Sequence, residues 1–177
     1  MDRRSLAVVV ATVALLATAG CAGLPGSGSA PAGGESSPPA TTTTTTTTDL
    51  PTVSVVDADT DETLGTVAVE IADTQSERYT GLSEHESLGE DEGMLFVYGS
   101  EGEYDYVMRS MDFPIDIVFV GADGTITRIH HAQTESDNEN LTRYSGRGKW
   151  VLEVPYEWTD EHGVEEGDRL EVPDEYA

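Results

Sequence analysis

The chain has 177 residues, with 34 acidic against 9 basic side chains and a formal net charge of -25. Such a field repels nucleic acid and anionic membrane surfaces, which excludes both as electrostatic partners. A lone Cys excludes any intramolecular disulfide, and the length fits one ordinary domain plus a tail.

The chain opens on Asp2, Arg3 and Arg4, followed by residues 6–19, all apolar except Thr12 and Thr18. A helix needs about 20 apolar residues to cross a bilayer, so this shorter run fits a signal peptide over residues 1–20. Small residues ahead of Cys21 resemble a lipobox, which implies lipidation of Cys21 and attachment to the outer face of the cell membrane. A signal peptide cut at a nearby small residue, or a buried thiol, is the alternative. Arg3-Arg4-Ser5-Leu6 also resembles the core of a twin-arginine export signal. Residues 21–50 then carry Gly, Ser, Pro, Ala and an unbroken Thr run at 41–48, with no Lys or Arg. That composition buries too little apolar surface to offset chain entropy and reads as a disordered stalk suited to O-glycosylation. Residues 51–177 remain as a single domain. They hold 31 acids and 7 bases, a composition that points to a halophilic source, because at molar salt the Debye length of about 3 Å screens the repulsion. An acidic protein loaded with calcium or bound to a polycation is the competing reading, although the acids are spread along the whole domain.

Within the domain, Val53-Ser54-Val55 and Val67-Ala68-Val69-Glu70-Ile71 alternate at period two and predict strands. Thr74-Gln75-Ser76-Glu77 has capping-box spacing and predicts a short helical turn closed by Gly81. Further strands are expected at 94–98, 104–108, 115–120, 125–132, 150–154 and 169–172. Asp123-Gly124 signals a hairpin, and 158–162 a helical turn ending at Gly163. About eight short strands with one or two short helices predict an all-β fold, a sandwich or a barrel.

Arg78-Tyr79-Thr80-Gly81-Leu82, Gly93-Met94-Leu95-Phe96-Val97, Tyr106-Val107-Met108-Arg109, Pro114-Ile115-Asp116-Ile117-Val118-Phe119, Asp123-Gly124 and Trp150-Val151-Leu152-Glu153-Val154 occur in this order. Together they resemble domain-of-unknown-function family 192 over about residues 64–172. The resemblance implies a compact jelly-roll-like β-sandwich with no established activity, often exported or membrane-attached. The chain departs from that pattern at Val107, where a Trp commonly precedes the Met, and at Ser110-Met111, where Asn-Thr is usual.

Asp116 interrupts an apolar strand and shares a face with Val118 and Val120. A carboxylate there must be hydrogen-bonded or paired. Arg109 is the nearest cation in sequence, and Glu153 lies in a similar apolar strand. Arg109, Asp116, Tyr144 and Glu153 are therefore a candidate cleft for a small polar ligand or a shared proton. The structural alternative is a buried ion pair, or a carboxylate tying down turn amides. Arg143, Arg147 and Lys149 cluster beside Gly146 and Gly148 as a candidate anion site. Pairing of these bases with the acidic shell explains them equally well.

Metal signals are poor. Asp57, Asp59 and Asp61 alternate as in a calcium loop, but Glu62 and Ala68 occupy the positions that need Gly and Glu. His130 and His131 are adjacent in a strand and point to opposite faces. No metal and no cofactor are expected. Asn140-Leu141-Thr142 is an N-glycosylation sequon at Asn140. The leading functional expectation is a lipid-anchored, cell-surface binding or accessory module for a small polar ligand. A hydrolase or lyase using Asp116 and Glu153 as acid and base, or a structural envelope component, are the alternatives.

Overall fold

The computed structural model describes residues 50–177; the expected signal peptide, Cys21 and the stalk up to residue 49 lie outside the described residues. Seven strands form one sheet: β1 (Thr52–Val56), β2 (Thr63–Ala72), β3 (Glu92–Tyr106), β4 (Ile115–Val120), β5 (Ile126–Ala132), β6 (Tyr144–Pro155) and β7 (Arg169–Glu171). Their spatial order is β5-β4-β6-β3-β2-β1-β7. Every neighbouring pair is antiparallel except β2 and β3. A parallel pair needs a crossover, and α1 (Gln75–Thr80) supplies it. The expected capping box forms, with Glu77 N donating to Thr74 Oγ1 at 3.2 Å and Thr74 N donating to Glu77 Oε2 at 3.0 Å. Gly81, at φ +51°, ends the turn.

The sheet curls until its edges touch. Thr125, just before β5, bridges Arg169 of β7. Ile126 N donates to Asp168 O at 2.7 Å, and Leu170 N donates to Gly124 O at 2.8 Å. The fold is thus all-β with two short helices, as expected, and one curled sheet creates the sandwich-like layering. One apolar cluster, with Val69, Leu95, Val118, Leu152 and Trp158, fills the concave side. A second, with Phe96, Met108, Ile117, Phe119 and Val151, covers the other face. The two strands expected at 94–98 and 104–108 are one element, β3, because both halves pair with β6 across a register shift between Val97 and Gly102.

Helix α2 (Trp158–His162) shows what Asp116 does. Glu157 precedes the helix at φ +67° and its side chain makes no cap. Asp116, fully buried on β4, caps from across the fold instead. Its Oδ1 accepts from Glu157 N at 3.1 Å, and its Oδ2 accepts from Thr159 N at 3.0 Å and Thr159 Oγ1 at 2.6 Å. His131 Nδ1 lies 2.7 Å from Oδ1. The helix so held inserts Trp158, 2% exposed, into the concave core. A Cβ at Gly65 would stand 2.6 Å from the indole Cζ2, so only Gly lets Trp158 lie on the β2 backbone. Replacing Asp116 with Asn puts an amide donor against donors. Asp116→Asn is expected to cost about 3 to 5 kcal/mol in denaturant unfolding at high salt. A cost below about 1 kcal/mol would show that these bonds do not hold the helix.

Candidate functional site

The β4/β6 register decides which predicted residues meet. Asp116 pairs with Val154 and Ile117 pairs with Glu153, so side-chain alternation sends Asp116 to the concave core and Glu153 to the opposite face. The two carboxylates do not share a cleft. Arg109 does not reach Asp116 either; it donates to Tyr79 O at 2.5 Å and its guanidinium lies 4.0 Å from the Tyr79 ring centroid. Tyr144 packs edge-on to His130 at 5.6 Å. Of the predicted cleft, the structure brings only Arg109 and Glu153 together, at a cavity of about 210 Å³.

That cavity lies between α1, the second half of β3 and the segment leading into β4. Arg78, Tyr98, Tyr106, Met108, Arg109 and Glu153 are among its lining residues. Glu153 is 6% exposed, and no hydrogen bond or ion pair among the described residues acts on its carboxyl. Burial alone pushes its carboxyl up to about 8, so it is protonated near neutrality. Tyr98 and Tyr106 join hydroxyls at 3.0 Å. Burial raises both phenols, and the nearby Glu153 charge adds to the rise. Tyr98 also stacks on Tyr104 at 3.6 Å across the bend in β3. Arg78 donates to Val97 O at 2.8 Å and to Asp73 O, and its guanidinium stands 5.0 Å from the Tyr98 ring centroid. Arg78, Tyr98 and Tyr106 are not among the residues that the sequence singles out for a cleft. The period-two spacing of Tyr98, Tyr104 and Tyr106 was the available signal, but only the bend and the β6 pairing show that they converge.

The expected anion cluster is spent on acids. Arg143 Nη1 lies 3.3 Å from Asp105 Oδ2, and Arg147 pairs with Glu101. Lys149 sits over Trp150, 4.6 Å from the ring centroid. Gly146 and Gly148 are buried; they make room for the Phe119 ring and the β4 backbone, and do not line a concavity. Asp57 folds back on its own turn, accepting from Asp59 N at 2.9 Å and Thr60 N at 2.7 Å. No group of three potential metal ligands occurs among the described residues. His130 and His131 face opposite ways, toward Phe119 and Asp116 respectively. Asn140 is exposed in the loop between β5 and β6.

The chain belongs to domain-of-unknown-function family 192 (DUF192, Uncharacterized ACR), whose model matches residues 56–172. It is similar to a solved structure from Sinorhizobium meliloti 1021 described as a proposed transcription regulator. That match has 31% identity and a TM-score of 0.62, covering 68% of this chain and 91% of the other. A second similar structure is a protein of unknown function from Novosphingobium aromaticivorans DSM 12444. Here the identity is 29% and the TM-score 0.60, with 68% of this chain and 84% of the other covered. No curated protein matches the chain.

Two titrations give the domain a pH dependence of one sign. The Glu153 carboxyl binds its proton more tightly when folded, so its contribution is full below the ordinary value of 4.5 and lost as pH rises to about 8. The hydrogen bond to Asp116 raises His131, whose contribution is full below 6.5 and lost as pH rises through the folded value. His131 is 38% exposed, so solvent screening leaves Glu153 as the larger effect. Unfolding free energy at constant high salt should fall by a few kcal/mol between about pH 5 and pH 8. Glu153→Gln should remove most of that slope. An unchanged slope in the variant would mean that Glu153 ionises normally in the fold.

Proposed function

We propose that this domain is a small-ligand binding module, held at the outer face of the cell membrane by a lipid on Cys21. The supporting observation is Glu153. Its carboxyl has no protein partner, and in a residue only 6% exposed its oxygens meet solvent through the cavity and not within a packed interface, so little offsets the cost of its burial. A bound molecule offering a hydrogen-bond acceptor would satisfy its O–H. A protonated carboxyl near neutrality also suits a general acid. The binding reading is preferred because no second carboxylate faces the cavity among the described residues: Asp105 borders it, but β3 alternation turns its side chain to the opposite face, where Arg143 and Ser145 engage it. The role named for the Sinorhizobium relative is not extended to this chain, since the excess of acids in the domain opposes a phosphate backbone.

Fragment-sized compounds screened by thermal melting test the pocket. Compounds that raise the melting temperature should lose that effect on Glu153→Met, which keeps the side-chain volume and removes the polar atoms. Because Glu153 has no protein partner, this variant should fold as well as the parent or better above pH 8. Stabilisation of both proteins alike, or of neither, would remove Glu153 as a ligand contact.

The membrane attachment rests on the short apolar leader and the residues around Cys21. Cys21→Ser should leave the protein exported but released from the membrane pellet by a carbonate wash, since the lipid supplies the attachment. Retention of the variant in the pellet would show that another element anchors it.

A further inference from the structure

Cations are scarce in this domain, and where they are spent is informative. Residues 51–177 hold 31 acids and only seven bases. Four of the seven are in ion pairs with carboxylates: Arg128 with Glu166, Arg143 with Asp105, Arg147 with Glu101 and Arg169 with Asp61. Among the described residues the other three, Arg78, Arg109 and Lys149, have no carboxylate partner. Two of these three, Arg78 and Arg109, line the Glu153 cavity. Each is positioned by backbone carbonyls and an aromatic ring: Arg78 by Asp73 O, Val97 O and Tyr98, Arg109 by Tyr79 O and the Tyr79 ring. Carbonyl contacts fix a guanidinium without neutralising it.

We propose that the pocket takes a small organic acid as a monoanion. Arg78 and Arg109 receive its carboxylate, Tyr106 and Met111 contact its apolar body, and Glu153 donates a hydrogen bond to it. This deepens the ligand-binding reading above and rests on it. A guanidinium offers a planar fork of donors that matches a carboxylate. The aromatic and thioether walls suit a flat apolar body. A volume of about 210 Å³ admits a single-ring acid. The surrounding field favours a single charge, because each added negative charge on the ligand meets the repulsion of the acidic shell again.

The groups facing Glu153 come from each neighbouring element: Tyr98 and Tyr106 from β3, Arg78 from α1, and Arg109 from the segment after β3; Asp105 borders the cavity, but strand alternation turns its carboxylate to the opposite face. Asp105 is bound by Arg143 and Ser145, which leaves Glu153 as the carboxyl free to donate.

Calorimetric titration of the full chain in constant molar salt, with benzoate, benzyl alcohol and sulfate as probes, tests the proposal. Benzoate should bind, with benzyl alcohol, which has the same ring and no charge, at least about tenfold weaker, and sulfate silent. Arg109→Gln should weaken benzoate by about tenfold or more, and Arg109→Lys should recover part of the loss. Benzoate and benzyl alcohol binding equally, both lost in Glu153→Met, would overturn the anion proposal and leave the ligand pocket standing. Sulfate binding in preference to benzoate would overturn the single-charge, organic part. Benzoate binding unaffected by Arg109→Gln, or no benzoate binding, would overturn the proposal outright. Fragments that stabilise the parent and Glu153→Met alike, or stabilise neither, are the separate result that removes the parent reading.

Discussion

The fold turns on one buried carboxylate. A seven-stranded sheet curled on itself still has open ends, and the concave core needs a lid. Helix α2 is too short to be stable alone, since nucleation outweighs what five residues can return. Asp116 resolves this by satisfying the first amides of α2 from the opposite side of the core, with His131 hydrogen-bonded to it at the rim. Trp158 is thereby fixed against Gly65. The lid, the core it closes and the approach of β2 to α2 follow from a single side chain whose every lone pair has a use. An acid in an otherwise apolar strand is here a structural device.

The same alternation that commits Asp116 to structure leaves Glu153 available. Glu153 stands on β6 among Met94, Val151 and Ile117, facing away from the lid. Nothing among the described residues bonds to it. The walls around it are assembled by separate devices. The capping box starts α1, Arg78 ties α1 to the carbonyl of Val97, and the bend in β3 folds Tyr104 back onto Tyr98. Each wall is secured without drawing on the carboxyl. That is the pattern expected where a polar group is kept for something other than folding.

Local features were legible because local physics sets them. Thr74 and Glu77 announce the start of α1, Asp123-Gly124 the hairpin, and the β-branched runs the strands. Even the burden on Asp116 could be read, because a charge amid Ile and Val must find partners wherever the chain goes. The partners themselves could not be read. Sequence proximity suggested Arg109, yet the residues that bond Asp116 are His131, Glu157 and Thr159, brought there by the β4/β5 register and the return of the chain after β6. Glu153 and Asp116 looked equivalent for the same reason. Each interrupts an apolar strand, and only the offset between β4 and β6, a long-range property, shows that they point opposite ways. The arginines of 143 and 147 looked like a cluster, but the acids that absorb them are some 38 and 46 positions away on β3.

Charge scarcity links the surface to the pocket. Exposed ion pairs such as Arg128–Glu166 and Arg143–Asp105 contribute little individually, and molar salt screens them further. They serve mainly to knit strand ends whose acids would otherwise repel. A half-buried guanidinium is screened much less, because the ions that screen it cannot surround it. Arg78 and Arg109 are both partly buried, and the carboxyl beside them is held neutral by its own burial. The cavity therefore gathers two guanidiniums without carboxylate partners on a domain whose net charge is strongly negative. The proposed ligand, a solute carrying one negative charge on an apolar body, would find a matched charge, an apolar wall and a donor there within one cavity.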